Sequence, residues 1–317
     1  MNIRKKVLFP LLVLVLAFTA FAFTACNNGQ QEEIDPAAVV SSVTLSRSSA
    51  FLSTTDSERS TASVTASFTV SESGADVEVN WSSSSAGVAT VKGSVQTTGE
   101  GDEATTVYTG TITAEGNGVA VITASAGNKS ATCIVAVTDI VVSTAEELTA
   151  AASAATDGTV IALNAGAGAY AADVAVSSGA QNVSLVGADG VTVNGSVTFN
   201  GGGSCFLSGV TLTGTGSGTA VTVAGAGSSL TLRNVRVSAF ENGVSLALAA
   251  NAETPTSLNV YDSSFSEVWC AVSADSLASF LRVSFSEVTY QFRDANGYYT
   301  TIGGTPVADV TPPSASE

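Results

Sequence analysis

Asp262 and Arg282 stand twenty residues apart in two copies of one phrase. The stretches VYDSSFSEV (260–268) and FLRVSFSEV (280–288) align without a gap, which sets a carboxylate against a guanidinium, with Asn234 of LRNVRV one step earlier. Such a pair at an exposed position makes an ion pair worth about 0–1 kcal/mol. Glu267 and Glu287 coincide by the same alignment. Like charges there repel modestly, and they could share a cation or be separately solvated. Tyr261, Trp269, Tyr290, Tyr298 and Tyr299 are flat rings of the kind that stack on sugars, or that pack over the end of a fold. The chain contains no histidine, which removes the commonest general base, triad member and zinc ligand together. No G-x-S-x-G or CxxC pair is present, and Gly201–Gly203 lacks the lysine that would make it a phosphate cradle, so it reads as a corner of the chain. Two carboxylates placed for acid and base work cannot be named.

The repeat that sets these residues together extends well beyond the phrase itself. LVG (185–187), LSGVTL (207–212), LRNVRV (232–237), VYDSSF (260–265) and FLRVSF (280–285) form one register; SVTF (196–199), AVTV (220–223), GVSL (243–246), AVSA (271–274) and YQFR (290–293) form a second. The first steps by 25, 28 and 20 residues from Leu207, and the second by 23, 28 and 20 from Val221, so both lengthen and shorten together. That is the behaviour of two strands in each coil of a solenoid, and 20–28 residues is the size of one turn. SFSEV is then a packing unit, with Phe265 over Phe285 and Val268 near Val288. A closed sandwich of tandem repeats is the competing fold, because alternation alone does not distinguish parallel winding. The longest step holds NAETPTS (251–257), a surface loop with Pro255.

Upstream, STAEELTAAASAATD (143–157) reads as a helix. Ser143 and Thr144 each have a glutamate three residues on, and Asp157-Gly158 ends it. Before it, residues 43–139 read as short alternating strands separated by turns. Val77, Val79 and Trp81 would share one face, and GEGDEATT would tip a long hairpin. Among the 317 residues, 45% are hydrophobic and 12% charged, so the chain has the means to bury a core. The first 26 residues are a basic start, an apolar run from Val7 to Ala22 and the close FTAC, with Cys26 last. The competing reading of that run is a membrane-spanning anchor. Cleavage before Cys26 removes three basic residues and takes the formal net charge from −16 to −19. A chain so acidic is repelled by nucleic acid and by anionic headgroups. Cys133, Cys205 and Cys270 sit in apolar runs as small buried thiols, too few for a disulfide framework.

Three resemblances follow from these residues. FTAC resembles the lipobox of bacterial lipoproteins, with Phe23 where leucine is usual, which implies that Cys26 carries lipid and NNGQQEEIDP is a polar tether. WSSSSAGVATV with GTITAEGNGVAVITASAGNKSATCIVAV is similar to the Big2-type bacterial Ig-like domain, matched at Trp81, Val88, Val91, Ile112, Gly116, Gly118, Ile122 and Cys133. Modules of that type serve surface adhesins and enzymes, often as stalks. The helix, D-G turn, VIAL strand and Tyr170 resemble the N-terminal cap of right-handed parallel β-helix proteins of the pectate-lyase-like class. That class implies an alternative function, a calcium-dependent polysaccharide lyase with Asp262 as metal ligand and Arg282 as base. Calcium takes six to eight oxygens, however, and no second or third Asp aligns with Asp262.

The expectation is an all-β chain. It runs as a signal peptide (1–25), a tether (26–42), an Ig-like β-sandwich (43–139), a short right-handed parallel β-helix with an N-terminal capping helix (140–303) and a disordered tail (304–317). The function expected is non-catalytic and without cofactor: a membrane-anchored envelope lipoprotein, at the outer membrane or cell surface. It would bind a glycan or host matrix protein through Tyr261, Trp269, Tyr290, Asp262 and Arg282. A purely structural envelope component is the third possibility.

Overall fold

The computed structural model describes residues 40–70, 77–99, 105–164, 168–225, 227–246, 256–274, 279–293, 299–300 and 306–307. The signal peptide, Cys26, most of the tether, the hairpin tip at 100–104, residues 251–255 with Pro255, and Tyr298 lie outside them.

Eight strands come first: β1 (Val40–Leu45), β2 (Ser49–Leu52), β3 (Thr61–Val70), β4 (Asn80–Ser83), β5 (Ala89–Thr98), β6 (Thr105–Ala114), β7 (Gly118–Ala126) and β8 (Lys129–Val137). They form two four-stranded sheets, β1-β3-β6-β5 and β2-β8-β7-β4, over a shared core that includes Leu52, Val64, Ile112, Ile122, Cys133 and Val135. The insertion after Val91 is a regular hairpin, paired from Ala89–Ala114 out to Thr98–Thr105. Trp81 is only half-buried, and Val77 and Val79 precede β4 and join a separate small cluster with Val40 and Ala126. The Trp81 ring lies on Gly93 and Gly110, which face each other across β5 and β6. A Cβ at either would fall 2.6–2.7 Å from ring atoms, so the indole occupies the trough that two missing side chains leave.

The second sheet is buried on both sides. Along β8, Cys133, Val135 and Val137 face the shared core, while Ile134 and Ala136 face the other way with Phe51, Val119 and Val121. Their partners there are Val160, Val186 and Phe206, which belong to the next part of the chain. This is why CIVAV is an unbroken apolar run rather than an alternating one.

The chain passes on through Thr138, whose hydroxyl donates to the Val160 carbonyl at 2.7 Å and accepts from the Ile140 amide at 3.0 Å. Asp139 accepts from the hydroxyls of Ser53 and Thr55, and Arg59 reaches both Asp139 and Asp56. The Ser53 and Thr55 hydroxyls hold the Asp139 carboxyl below the usual carboxylate range, and the Arg59 hydrogen bond does the same for Asp56. After β9 (Val141–Val142) comes helix α1 (Ala145–Ser153). The Thr144 hydroxyl accepts from the Glu147 amide, and the Glu147 carboxylate accepts from the Ser143 amide at 2.7 Å, closing the first turn. The helix stops four residues short of the expected end, because Asp157 is taken by the Gln181 amide and Gly158 (φ 75°) turns the chain into the solenoid.

Six coils follow. They are β10 (Val160–Leu163), β11 (Ala169–Tyr170) and β12 (Val174–Val176); β13 (Ser184–Asn194) and β14 (Val197–Phe199); β15 (Ser204–Thr213) and β16 (Thr219–Val223); β17 (Ser229–Arg233) and β18 (Arg236–Leu246); β19 (Ser257–Tyr261) and β20 (Ser264–Ser273); β21 (Ser279–Leu281) and β22 (Ser284–Arg293). Every pairing between coils is parallel, which decides against the closed sandwich. Three faces stack. Leu185, Leu207, Leu232, Val260 and Phe280 form one inward column. Tyr170, Val193, Leu212, Val237, Phe265 and Phe285 form the second. Val174, Val197, Val221, Val244, Val272 and Phe292 form the third. The Phe265 and Phe285 rings stack at 5.7 Å and 11°. Each such side chain contributes about 1.5–3 kcal/mol on leaving water. Cys205 and Cys270 are buried among them, and burial pushes these thiols, like that of Cys133, up to about 12.

Helix α1 covers the first coil with Leu148 and Ala152, and the buried Tyr170 hydroxyl lies 2.8 Å from both the Val142 and Asn164 carbonyls. At the other end β23 (Tyr299–Thr300) lies antiparallel to β22, and β24 (Pro306–Val307) antiparallel to β23, inside the stretch read as tail.

Gly110→Ala, which drives a methyl into the Trp81 ring, is expected to lose about 1–3 kcal/mol in denaturant unfolding. The junction predicts acid sensitivity. Because the Asp56 and Asp139 carboxyls are depressed in the folded state, their stabilisation is whole above the unfolded carboxylate value of about 3.9 and is lost as pH falls through and below it. Melting temperature should therefore drop below about pH 4, and Asp139→Asn should make that drop shallower.

Candidate functional site

The first corner of each coil follows the first face. In coils three to six the corner residue is Gly209, Asn234, Asp262 and Arg282, each one position after the paired column Ser208, Arg233, Tyr261 and Leu281. All four are left-handed, with φ of 69°, 53°, 52° and 53°. Gly, Asn and Asp tolerate that region, and Arg does not by preference. The column therefore begins as backbone chemistry, and its side chains emerge where the turn aims them.

Arg282 donates to Asp262 from both Nε and Nη2, the latter at 2.9 Å. Arg233, one coil the other way, reaches the second Asp262 oxygen at 3.6 Å and lies 4.5 Å over the Tyr261 ring. Three of the five expected residues, Tyr261, Asp262 and Arg282, thus come together around a fourth, Arg233, whose role no sequence argument assigned. The signal was present: LRNVRV over VYDSSF puts Arg233 directly beneath Tyr261. Burial pulls the Arg233 guanidinium down against the pull of Asp262, and its Nε is buried with no hydrogen-bond partner among the described residues. The Asp262 hydrogen bond pushes Arg282 up. A base must surrender its proton, and this pairing favours the protonated guanidinium. The Asp262 carboxylate in turn faces two guanidinium groups, where a cation site would need open oxygens.

Trp269 and Tyr290 form a different pair, edge to face at 5.3 Å, near the start of the third face. Tyr261 belongs to the first face, so it does not join Trp269 and Tyr290 in one aromatic strip. The side chain of Tyr299 lies outside the described residues. Glu267 and Glu287 are exposed at a second left-handed corner that begins with Ala239, with φ of 52°, 55° and 58° for Glu267, Glu287 and Ala239. Among the described residues no group of three or more His, Cys, Asp or Glu converges as a metal site.

The first corner opens on a cavity of about 210 Å³ where the second sheet ends, with Ser48, Thr132 and Ile134 on one side and Arg233, Asn234 and Asp262 on the other. Further up the same seam Ser48 bonds to Asp189 through its hydroxyl and, at 3.4 Å, its amide.

No protein-family model matches this chain, and no curated protein matches it. Two solved pieces of the S-layer protein SbsC are similar to part of it. Domains 5–6 share 22% identity over 32% of this chain and 44% of that one, with a TM-score of 0.25. Domains 4 and 5 share 22% over 31% and 52%, with a TM-score of 0.24. The match takes in about half of each solved piece, and overlap that slight leaves the functional argument to this chain's own geometry.

The left-handed corners make a stability prediction. Asp262→Ala and Asp262→Asn both release the two arginines, but only asparagine tolerates the turn, so the alanine variant should unfold about 1 kcal/mol more easily. Glu267→Gly should gain about 1 kcal/mol for the same reason. Denaturant melts of the three variants test both signs.

Proposed function

We propose that this chain is a non-catalytic binding protein of the bacterial cell envelope. It is held by lipid on Cys26 and a polar tether, with a Big2-like Ig-type module as its stalk and a right-handed parallel β-helix presenting the ligand surface. The ligand is a glycan or a host matrix protein. The observation that carries the non-catalytic part is the state of Asp262. Its two oxygens are engaged by Arg282 and Arg233, and Arg282 is pushed toward its protonated form, so the two roles a lyase would need are spent on each other. The two-sheet arrangement, with Ile112, Ile122 and Cys133 in its core and Trp81, Val88 and Val91 packed on it, supports the Big2 resemblance at six of its matched positions. The lipid anchor rests on the FTAC motif and on a charge that gives the chain no electrostatic reason to sit on anionic lipid. More than one acyl chain holds a protein on a membrane durably, at roughly 0.8 kcal/mol per buried methylene.

Two measurements test the reading. In cells fed a labelled fatty acid, the full chain should take up label and fractionate with membranes, and Cys26→Ser should abolish both. The detergent-solubilised chain should bind at least one immobilised glycan or matrix protein. It should also give no rise in ultraviolet absorbance from unsaturated sugar ends on acidic polysaccharides, with calcium or with chelator. A calcium-dependent rise that disappears in Arg282→Ala would replace the binding reading with a lyase.

A further inference from the structure

The second corner changes length along the solenoid, and the change makes a groove. From the second inward column to the third, coils one and two take four residues (Tyr170 to Val174, Val193 to Val197). Coil three takes nine (Leu212 to Val221), and coils four to six take seven (Val237 to Val244, Phe265 to Val272, Phe285 to Phe292). Since the columns stay in register, the surplus can only project outward. The first two coils are therefore recessed at this corner, and the exposed loop GTGSG (214–218) of coil three stands over the step. The result is a concavity of about 680 Å³, within the range of small-molecule sites, about 300–1,000 Å³.

Its lining is polar and uncommitted. Asp173 accepts from the Ser196 amide and hydroxyl, both through Oδ1, at 2.8 and 2.9 Å, which fixes the carboxylate and leaves Oδ2 without a partner among the described residues. Asn194, Thr213, Thr215, Ser217 and Thr219 also line the groove, and none of their side chains makes a hydrogen bond among the described residues. Two other solenoid asparagines are used internally: Asn182 accepts from the Ser204 amide and Asn200 donates to the Val176 carbonyl. The loop itself is held from below, with the Gly214 and Gly216 amides donating to Ser238 and Ala239 at 3.0 and 2.7 Å. Gly214 is obligatory, because a Cβ there would fall 2.7 Å from the Phe240 ring that floors the groove.

We infer that this step is a binding site for neutral, hydroxyl-rich ligands, that is, for an uncharged oligosaccharide. One carboxylate oxygen, one amide and four hydroxyls offer alternating donors and acceptors, as sugar hydroxyls require. A phosphate or uronate would meet the fixed charge of Asp173, and between residues 143 and 232 the chain has no lysine or arginine to offset it. A calcium ion would find one carboxylate where it takes six to eight oxygens. The inference rests on the reading of the chain as a binding protein, and it places the contact on coils one to three and the Phe240 ring of coil four, away from the arginine cluster.

The test is saturation-transfer NMR of the full, detergent-solubilised chain with uncharged hexasaccharides of glucose, mannose and N-acetylglucosamine. At least one should bind. Asn194→Ala and the loop variant Ser217→Ala should each weaken it up to about tenfold, the value of one hydrogen bond to a neutral group, while Lys92→Ala, exposed on β5, leaves it unchanged. Ser217→Arg, which fills the groove from an exposed loop, should abolish binding without altering the melting temperature. Binding that survives Ser217→Arg but falls with Trp269→Ala overturns this site and leaves the envelope-binding reading standing. If none of the hexasaccharides binds while a matrix protein does, the site is likewise overturned. If nothing binds, both readings fall.

Discussion

A coil of this solenoid cannot bury its own apolar side chains. Each turn is one strand layer thick, and Leu207 or Val237 leaves water only because another coil lies on either side of it. The stack must therefore be kept in register at every position that points inward, and everything else in the second half of the molecule follows from that requirement. Coils may differ in length, as they do, provided that the excess leaves at a corner. Corners must turn sharply between one column and the next, so the backbone there is left-handed. The side chains that look most like chemistry, Asp262, Arg282, Glu267 and Glu287, occupy those left-handed turns. Their alignment is a by-product of stacking before it is anything else, and the Asp262 pairing with two arginines is how the stack settles the charges it has brought together.

The same economy governs the two-sheet module. A sheet with one wet face would show alternation along β8. Instead both faces are dry, the inner against the partner sheet and the outer against Val160, Val186 and Phe206 of the first coils. With Thr138 tied to Val160 and Asp139 to Ser53 and Thr55, the passage from one half to the other is short and fully bonded. The first half therefore continues into the solenoid through a common apolar seam.

How much of this was legible in the sequence depended on how local the cause was. The columns beginning at Leu185 and Val197 could be read directly, because strict stacking forces like residues into like positions, and SFSEV is the plainest case. The capped start of α1 was legible because one turn of helix contains its whole cause. Its end was not, since Asp157 is claimed by Gln181, on the next coil. The seam was hidden, because Phe206 and Val186 look like any strand residues until a second module covers them. Arg233 was in view but read only through its neighbour Asn234, one position on. The recessed corner needed both registers at once, and its meaning lies in a difference of lengths, not in any residue.

The two ends of the parallel ladder also bear on how copies of this molecule can meet. A ladder that simply stopped would offer unpaired backbone groups to the first coil of another copy, and such heterologous contact, repeated, does not close on itself. Here the leading end lies beneath α1 and the trailing end turns back on itself through the antiparallel strands β23 and β24. Among the described residues β23 covers only Phe292 and Arg293 of β22, and β21 has no strand beyond it, so the trailing end keeps part of its edge. The helix closes the leading pole to a neighbour's ladder, while at the trailing pole β21 and most of β22 have no outer strand among the described residues, so the two poles differ in what they offer a second copy.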